Sequence, residues 1–351
     1  MEPAITAYSE DEESELDSDD LDEIDLIEGD SEPVNRYGSK LYYPLTIGEV
    51  LGQRYTIRGN TGGESDATND YLLGQGKSNL LTYHEWFELS AATTSHVHRV
   101  LIFPLVGPNL DQTFSHAMPM STHMYYRMSA AWQLLLSLKN LHEAKIVHRD
   151  LNPGAVMWGL TSLDDYDTTT IYEHLGVPRK YDLGWLWKPG ELVKPATIPE
   201  MLRDDRIYLG DFGMAIKDDT PVPTKVQTPT QFCAPERFHG VDPSSASDMW
   251  SYMYIFSWIY LGFVPVQRRG GVGVMSDLVG ILGPLPEHWH GYFKCGKEQG
   301  SDGWYDQSQV PIEKMTLTSL VAGRQSAVSQ EEQELVGKFL RRCFAISLRT
   351  A

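Results

Sequence analysis

Two short apolar runs, each ending at a polar turn with an aspartate, constrain the fold of this chain more than any other feature. The first is Ile146-Val-His-Arg-Asp150, and the second is Tyr208-Leu-Gly-Asp-Phe-Gly213. Short apolar runs that stop at turn residues are typical of β-strands. The two runs therefore predict that Asp150 and Asp211 are carried to the same edge of a small sheet.

Four motifs in a fixed order extend this pattern. His148-Arg-Asp150 and Asp211-Phe-Gly213 are followed by Ala234-Pro-Glu236 and Asp248-Met-Trp250. The first two together are the signature of the catalytic loop and the metal-binding loop of protein kinases. One motif alone is a weak signal, but with four in this order the chain resembles eukaryotic-type serine/threonine protein kinases. The resemblance implies an α+β, bilobal protein-kinase-like fold with a reduced β-rich N-lobe and a mainly helical C-lobe.

Further residues narrow the resemblance to the fungal kinases related to the SR-protein kinases. Tyr43-Pro44 and Arg54-Tyr55 are similar to the opening of those kinase domains. Asn152-Pro-Gly154 is similar to a Pro-Gly pair in their catalytic loop. An insert of comparable length lies between the two loops, at about 160–207. The resemblance covers about residues 36–351.

Charge is concentrated at the N-terminus. Residues 1–32 hold 15 acidic side chains and no Lys or Arg, whereas the remainder has 33 acidic and 29 basic residues. Such a segment buries too little apolar surface to offset the entropy lost on ordering. We therefore expect a disordered acidic tail at 1–34. The resemblance implies a reduced N-lobe and hinge at 35–106, and a C-lobe at 107–351 that contains the insert.

The N-lobe is where the chain departs from the family. After Tyr55 a kinase runs through a strand, a Gly-rich loop and two more strands, the last of which carries a lysine. Here only residues 56–63 precede Glu64, which aligns with the helix-C glutamate of the family. Three strands at about 3.3 Å per residue do not fit in this length. No lysine lies between Lys40 and Lys77, so the partner of Glu64 is missing.

The resemblance assigns chemical roles to three residues at the two turns. Asp150 accepts or orients the proton of a substrate hydroxyl, and Arg149 meets a charged group on the activation segment, residues 214–233. Asp211 holds the magnesium ion that bridges the phosphates of ATP. The alternative for Asp150 is a turn-capping aspartate. The resemblance also implies that Phe103 is the gatekeeper and that Pro104 to Val106 form the hinge that pairs with adenine, which makes Phe103, Leu105 and Val106 candidate cofactor-binding residues.

Two positions of the catalytic loop have lost their family chemistry. The family places an asparagine, the second metal ligand, five residues after the catalytic aspartate, and this chain has Ala155 there. A methyl group does not coordinate a cation that requires oxygen. The family lysine two residues after Asp150 is replaced by Asn152, although related fungal sequences vary at this position. Asp248 is implied to be structural, binding backbone amides of the catalytic loop.

Periodicity predicts three further elements. Asn79–Phe87 and Arg99–Val106 read as the two strands of a hairpin. A long helix is predicted at 119–142 from apolar residues at helical spacing: Tyr125, Met128, Trp132, Leu135, Leu138 and Leu141. A C-terminal helix follows at 336–344. The resemblance also implies that Arg349 pairs with Glu236.

Composition argues against several classes of function. Strong basic patches are absent, so nucleic-acid binding is not expected. The run 249–266 has 18 residues without a charge, which meets the length of a membrane span, but a buried core helix is the preferred reading and we expect no membrane contact. The cysteines, without metal-ligand spacing, favour a reducing compartment, and we expect the cytoplasm, the nucleus or both.

Three interpretations of function remain. The first is an active serine/threonine kinase that transfers the γ-phosphoryl group of ATP, with Mg²⁺, to a protein partner, either basic or Ser/Arg-rich. The second is a pseudokinase, a regulatory or scaffolding module whose binding of ATP and Mg²⁺ is weak or absent. The third is an incomplete product, from which about forty residues between Tyr55 and Glu64 have been lost. The third explains the short N-lobe but not Ala155.

Overall fold

The computed structural model describes residues 37, 42–57, 79–90, 97–115, 124–226, 229–262, 271–295, 302–324 and 328–350. The predicted acidic tail at 1–34 lies outside these residues. Glu64 and the glycine-containing stretch at 58–63 lie outside them as well. The side chain of Arg349 is also not described, although its backbone is helical.

Seven α-helices occur in the described ranges. They are α1 (Leu110–Ser115), α2 (Met124–Glu143), α3 (Thr168–Leu175), α4 (Ser245–Leu261), α5 (Gly271–Leu282), α6 (Leu317–Arg324) and α7 (Gln330–Thr350). Short 3₁₀ turns connect several of them, including one at Pro153–Ala155 and one at Pro235–His239. Helices thus account for most of the regular structure after residue 110.

The strands are short and pair two by two. They are β1 (Val50–Leu51), β2 (Tyr55–Thr56), β3 (Glu85–Ser90), β4 (Val97–Ile102), β5 (Ile146–Val147), β6 (Val156–Leu160), β7 (Lys180–Asp182), β8 (Glu191–Val193), β9 (Arg203–Leu209), β10 (Ile216–Lys217), β11 (Tyr292–Phe293) and β12 (Gly303–Trp304). The pairs are β1–β2, β3–β4, β5–β10, β6–β9, β7–β8 and β11–β12. The predicted α+β class is confirmed, and so is the β3–β4 hairpin, with shifted bounds.

The backbone divides into two compact units. In the described part of the chain the first unit takes residues 37, 42–57, 87–90, 97–100 and 163–197, and the second takes the rest from residue 79 onward. Four long helices of the second unit, α2, α4, α5 and α7, contribute to one hydrophobic core. This unit carries all four sequence motifs.

Helix α2 is confirmed, but two of the six apolar residues that predicted it are exposed. Tyr125 is 73% exposed and Trp132 is 60% exposed. The face toward the core is made of smaller residues and one arginine: Arg127, Ala130, Ala131, Leu134, Ser137, Leu138 and Leu141. Of the six, Leu138 and Leu141 are fully buried, and Met128 and Leu135 are partly buried against the core. The small residues allow α2 to pack closely on α4 and β9. A search for large apolar side chains at helical spacing overlooks such residues.

Helix α4 holds the charge-free run that reads equally as a core helix or a membrane span. It begins at a capping box of Ser244 and Ser247 and ends at Gly262, whose left-handed backbone satisfies the last turn. Nearly all of its side chains are buried in the core. The core interpretation is therefore confirmed for the described part of the run. Every helix in the described residues falls short of the length or apolarity needed to cross a bilayer.

The predicted insert contributes a hairpin to the first unit. Strands β7 and β8 pair, and the hairpin packs on the segment around Leu45. Glu191 donates its backbone N–H to the Leu45 carbonyl at 2.7 Å and accepts the Ile47 N–H on Oε2 at 2.7 Å. Lys188 Nζ donates to the Pro44 carbonyl at 2.7 Å and pairs with Glu49 at 2.9 Å. These non-local bonds make the insert part of the folded unit.

Candidate active site

The two aspartate-bearing runs do not end in the same sheet, contrary to the prediction. Strand β5 pairs with β10, whereas β9 pairs with β6. The reason is that β6, five residues long and directly after the catalytic loop, gives β9 a longer antiparallel partner than the two-residue β5 could. The ladder continues to the second turn, because Gly210 N donates to the Ala155 carbonyl at 2.8 Å.

Asp248 anchors the catalytic loop from the first turn of α4. Its Oδ2 accepts the His148 N–H at 2.7 Å, and its Oδ1 accepts the Arg149 N–H at 2.9 Å. His142 Nε2 lies 3.0 Å from Oδ2 as well. The carboxylate is buried, so each of these bonds replaces lost hydration. The implied structural role of Asp248 is confirmed.

His148 joins the catalytic loop to the second turn. Its buried imidazole donates from Nε2 to the Gly210 carbonyl at 2.9 Å. Its ring centroid lies 5.3 Å from that of Phe212, which is also buried. Both residues next to Asp211 are thus held from the catalytic loop.

Asp150 and Asp211 come together at this junction. Burial is the main cause that raises the pKa of Asp150 above its ordinary value, and the negative charge of Asp211 raises it further. His148, Arg237 and a hydrogen bond from Asn152 act in the opposite direction. Asp211 itself has a left-handed backbone, with φ of 54°. Two neighbouring carboxylates of this kind would bind a divalent cation with a gain of electrostatic energy.

Two other side chains of the catalytic loop are poor candidates for metal ligands. Ala155 is fully buried in the hydrophobic core and has no oxygen in its side chain. Asn152 uses its amide on the loop itself, since Oδ1 accepts the Gly154 N–H at 2.9 Å and Nδ2 donates to the Asp150 carbonyl at 3.0 Å. In the described ranges no three His, Cys, Asp or Glu residues cluster as a metal site. Ala155 therefore supplies no ligand for a second metal ion, and the amide of Asn152 is already engaged within the loop.

The implied adenine-binding residues lie on the segment after β4. The Phe103 ring packs edge to face on Tyr83, with centroids 6.2 Å apart. Leu105 is exposed and Val106 is half-buried. Directly after them, Gly107 N donates to the Trp158 carbonyl of β6 at 2.7 Å. Strand β6 thus supports both this segment and the Asp211 turn.

Arg149 and the activation segment meet through the main chain. The Arg149 guanidinium donates from Nη2 to the Thr224 carbonyl at 3.0 Å. Sequence reasoning missed Arg237, which is buried beside it and donates from Nη1 to the Arg149 carbonyl at 2.8 Å. The signal that could have identified Arg237 is its position in the sequence, where a charged residue stands between Glu236 and the apolar Phe238.

Glu236 is buried without a full set of partners. Burial raises the pKa of its carboxyl to about 7, and Oε2 has no hydrogen-bond partner in the part of the chain that the structure describes. The implied partner, Arg349, has a side chain outside the described residues. The pair therefore stays a prediction.

Known proteins with similar sequences are protein kinases. No family model matches the chain. It is 27% identical to the dual specificity protein kinase CLK1 of Mus musculus over 210 residues, which cover 58% of this chain and 36% of that protein. It is 24% identical over 208 residues to the serine/threonine-protein kinase Doa of Drosophila melanogaster, covering 58% and 21%. For the serine/threonine-protein kinase AFC3 of Arabidopsis thaliana the identity is 22% over 214 residues, covering 61% and 47%.

The match is partial on both sides. The chain spans about a third of the length of the curated relatives it matches first. The names of these relatives all state a protein kinase. The loops built around Asp150 and Asp211, on a frame of helices with a small sheet component, agree with that class. The chain is therefore a kinase-like protein, related to the CLK and SR-protein-kinase-like group.

Proposed function

We propose that this chain is a pseudokinase, a regulatory or scaffolding module that binds a protein partner and transfers phosphate at or near the background rate. One observation carries the proposal. The position of the second metal ligand is occupied by Ala155, which is fully buried and supplies no oxygen. The neighbouring Asn152 is engaged with Gly154 and with the Asp150 carbonyl, so it is a poor substitute.

The proposal includes weak or absent binding of Mg-ATP. Asp211 is the residue proposed to hold one magnesium ion, which neutralises phosphate charge when bound. Phe103, Leu105 and Val106 are proposed to contact adenine. Glu64, proposed as the helix-C glutamate, has no lysine partner between residues 40 and 77. Positioning and charge neutralisation dominate phosphoryl transfer, so these losses weaken the step that matters.

An active serine/threonine kinase is the second candidate. It is favoured by the nearness of the Asp211 charge to Asp150 and by the two hydrogen bonds that anchor the catalytic loop on Asp248. In both candidates residues 35–106 act as a reduced N-lobe and hinge, and 107–351 as the C-lobe. Both candidate functions include a protein partner that is basic or Ser/Arg-rich. Both place the chain in the cytoplasm or nucleus, and neither includes binding to nucleic acid or to a membrane.

Phosphotransfer from labelled ATP separates the two candidates. The substrates are mixed basic proteins and Ser/Arg-rich peptides, and Asp150→Asn supplies the background, because it keeps the shape of the side chain but removes the carboxylate. We expect the unmodified chain to match Asp150→Asn. A rate clearly above that control establishes the active kinase and refutes the pseudokinase. Thermal shift with ATP, with and without Mg²⁺, measures nucleotide binding separately.

A further inference from the structure

A buried arginine joins the catalytic loop to the activation segment. Arg237 follows Glu236 in the chain and is 3% exposed. Its Nη1 donates to the main-chain carbonyl of Arg149 at 2.8 Å, and its Nε donates to the main-chain carbonyl of Lys225. One guanidinium therefore bonds two backbone segments that are far apart in sequence.

Neighbouring atoms of the activation segment are held in the same region. Arg149 Nη2 donates to the Thr224 carbonyl at 3.0 Å. Asp242 Oδ1 accepts the Val222 N–H at 2.9 Å and pairs with Lys225 Nζ. The side chains of Val222 and Val226 are buried. Residues 222–226 are thus fixed from several directions, and the two arginine contacts both end on peptide carbonyls.

We propose that Arg237 is a positioning residue that holds residues 222–226 of the activation segment against the Arg149 peptide. A guanidinium suits this task because its rigid fork of N–H donors reaches two carbonyls at once, which a lysine ammonium does less well. The acceptors are peptide oxygens, so the bridge needs no added phosphate group. The proposal concerns the position of the segment and holds whether or not the chain transfers phosphate.

The backbone of Arg149 is a position where hydrogen bonds of this kind are needed. Arg149 has a left-handed backbone with φ of 73°, a conformation that costs energy for a residue with a side chain. Asp248 holds its N–H, and Arg237 holds its carbonyl. The next residue is Asp150, so the bridge also bears on the position of the proposed catalytic carboxylate. Burial and then the Arg237 charge lower the pKa of Arg149, whereas burial raises the pKa of Asp150 and the Arg237 charge offsets part of that rise.

Amide hydrogen exchange on the full chain tests the proposal. Arg237→Met is expected to speed exchange at the four N–H groups of residues 222–226, where position 223 is a proline, by about 10-fold or more, because hydrogen bonds from a charged donor contribute on this order. Helix α4 should keep its protection. Arg237→Lys keeps the charge but not the fork, and is expected to give an intermediate rate. Unchanged exchange at 222–226 in Arg237→Met overturns the proposal.

Two matched variants separate positioning from general loss of stability. Arg127→Met removes another buried arginine, on α2, and should lower the melting temperature without speeding exchange at 222–226. Lys225→Met removes the ion pair with Asp242 but leaves the Lys225 carbonyl for Arg237, so it should speed exchange less than Arg237→Met. If either variant loosens the segment as much as Arg237→Met, the proposal is wrong. If Arg237→Met does not fold, Arg237→Lys decides, since it must speed exchange at 222–226 but not in α4.

Discussion

Asp248 accepts the backbone N–H of Arg149 at 2.9 Å, across 99 residues of sequence. A residue in the first turn of α4 therefore fixes the backbone of the catalytic loop. The carboxylate also accepts the N–H of His148, whose ring reaches the Gly210 carbonyl. The two turns that carry Asp150 and Asp211 are linked through this one buried group.

Asp248→Ala is expected to destabilise the second unit by roughly 2–4 kcal/mol, because it leaves the buried N–H of His148 and the partly buried N–H of Arg149 without their acceptor. The measurement is urea unfolding, read from the midpoint and slope. Asp248→Asn, which keeps one acceptor oxygen, should cost less. An unchanged midpoint in Asp248→Ala would show that the carboxylate is not a structural anchor.

The register of α2 predicts opposite outcomes for two neighbouring large side chains. Leu134 is fully buried, so Leu134→Ala should cost about 2–5 kcal/mol in lost burial and a residual cavity. Trp132 is mostly exposed, so Trp132→Ala should change the free energy of unfolding by less than about 1 kcal/mol. Thermal unfolding of the two variants checks this. The reverse order would restore the helix face predicted from sequence.

Glu236 makes stability depend on pH in a defined direction. Burial raises its pKa from 4.5 to about 7, so the folded state favours the protonated carboxyl. The resulting contribution to the free energy of unfolding is fully present below pH 4.5 and is lost as the pH rises through 7. Glu236→Gln, which stays neutral, is expected to match the unmodified chain at pH 4 and to be more stable at pH 8, by roughly 3 kcal/mol. Urea unfolding at both pH values measures the difference.

Arg349 provides the companion experiment for Glu236. If its side chain pairs with the carboxylate, Glu236→Gln will be less stable than the unmodified chain at pH 8, and Arg349→Met will show the same loss. An unpaired Glu236 predicts that Arg349→Met is neutral at both pH values. The two variants together therefore decide whether the implied pair exists.

The sequence predicted those parts of the site that depend on motif spacing. The role of Asp248 followed from its motif, because an aspartate at that distance from the catalytic loop has one structural use in the family. The burial of α4 was also predicted, since its charge-free run suits a core. The buried face of α2 was predicted only in part, because Ala130 and Ala131, which are buried on it, carry little apolar weight in a periodicity count.

Contacts between distant segments left no local signal. Strand β9 pairs with β6, whereas β5 pairs with β10. The pairing depends on the lengths of the strands that are available as partners, and neither apolar run contains that information by itself. The insert hairpin bonds to Leu45 and Ile47 through Glu191, a residue that is unremarkable in its own sequence context. The bridge made by Arg237 joins the Arg149 and Lys225 carbonyls, and backbone acceptors cannot be read from residue identity.

His239 is expected to make the chain less stable in mild acid. Its ring stacks on Trp289 at 4.0 Å, Nδ1 donates to the Pro235 carbonyl at 2.8 Å, and Nε2 lies 3.3 Å from the Tyr305 hydroxyl. Burial lowers its pKa to about 4, and nearby His288 adds to the shift.

The folded state favours the neutral ring of His239. The contribution of this ring to the free energy of unfolding is therefore fully present above pH 6.5 and is lost as the pH falls from 6.5 toward 4. His239→Gln should show a smaller loss of stability over that interval than the unmodified chain. Thermal unfolding at pH 7, 6, 5 and 4 gives the comparison. Parallel curves for the two proteins would mean that His239 titrates normally in the fold.

Restoring the family asparagine at position 155 is expected not to restore activity. Ala155→Asn returns an oxygen to the second-ligand position, but no Gly-rich loop of family length and no lysine between residues 40 and 77 exist to hold the phosphates. Losses of this kind commonly cost about 10²–10³ in rate for each electrostatic group, and they need not add. Transfer from labelled ATP by Ala155→Asn should therefore equal that of Ala155→Asn with Asp150→Asn. A rate above that double variant would show that the missing ligand alone limits transfer, and that the short N-lobe is sufficient to position ATP.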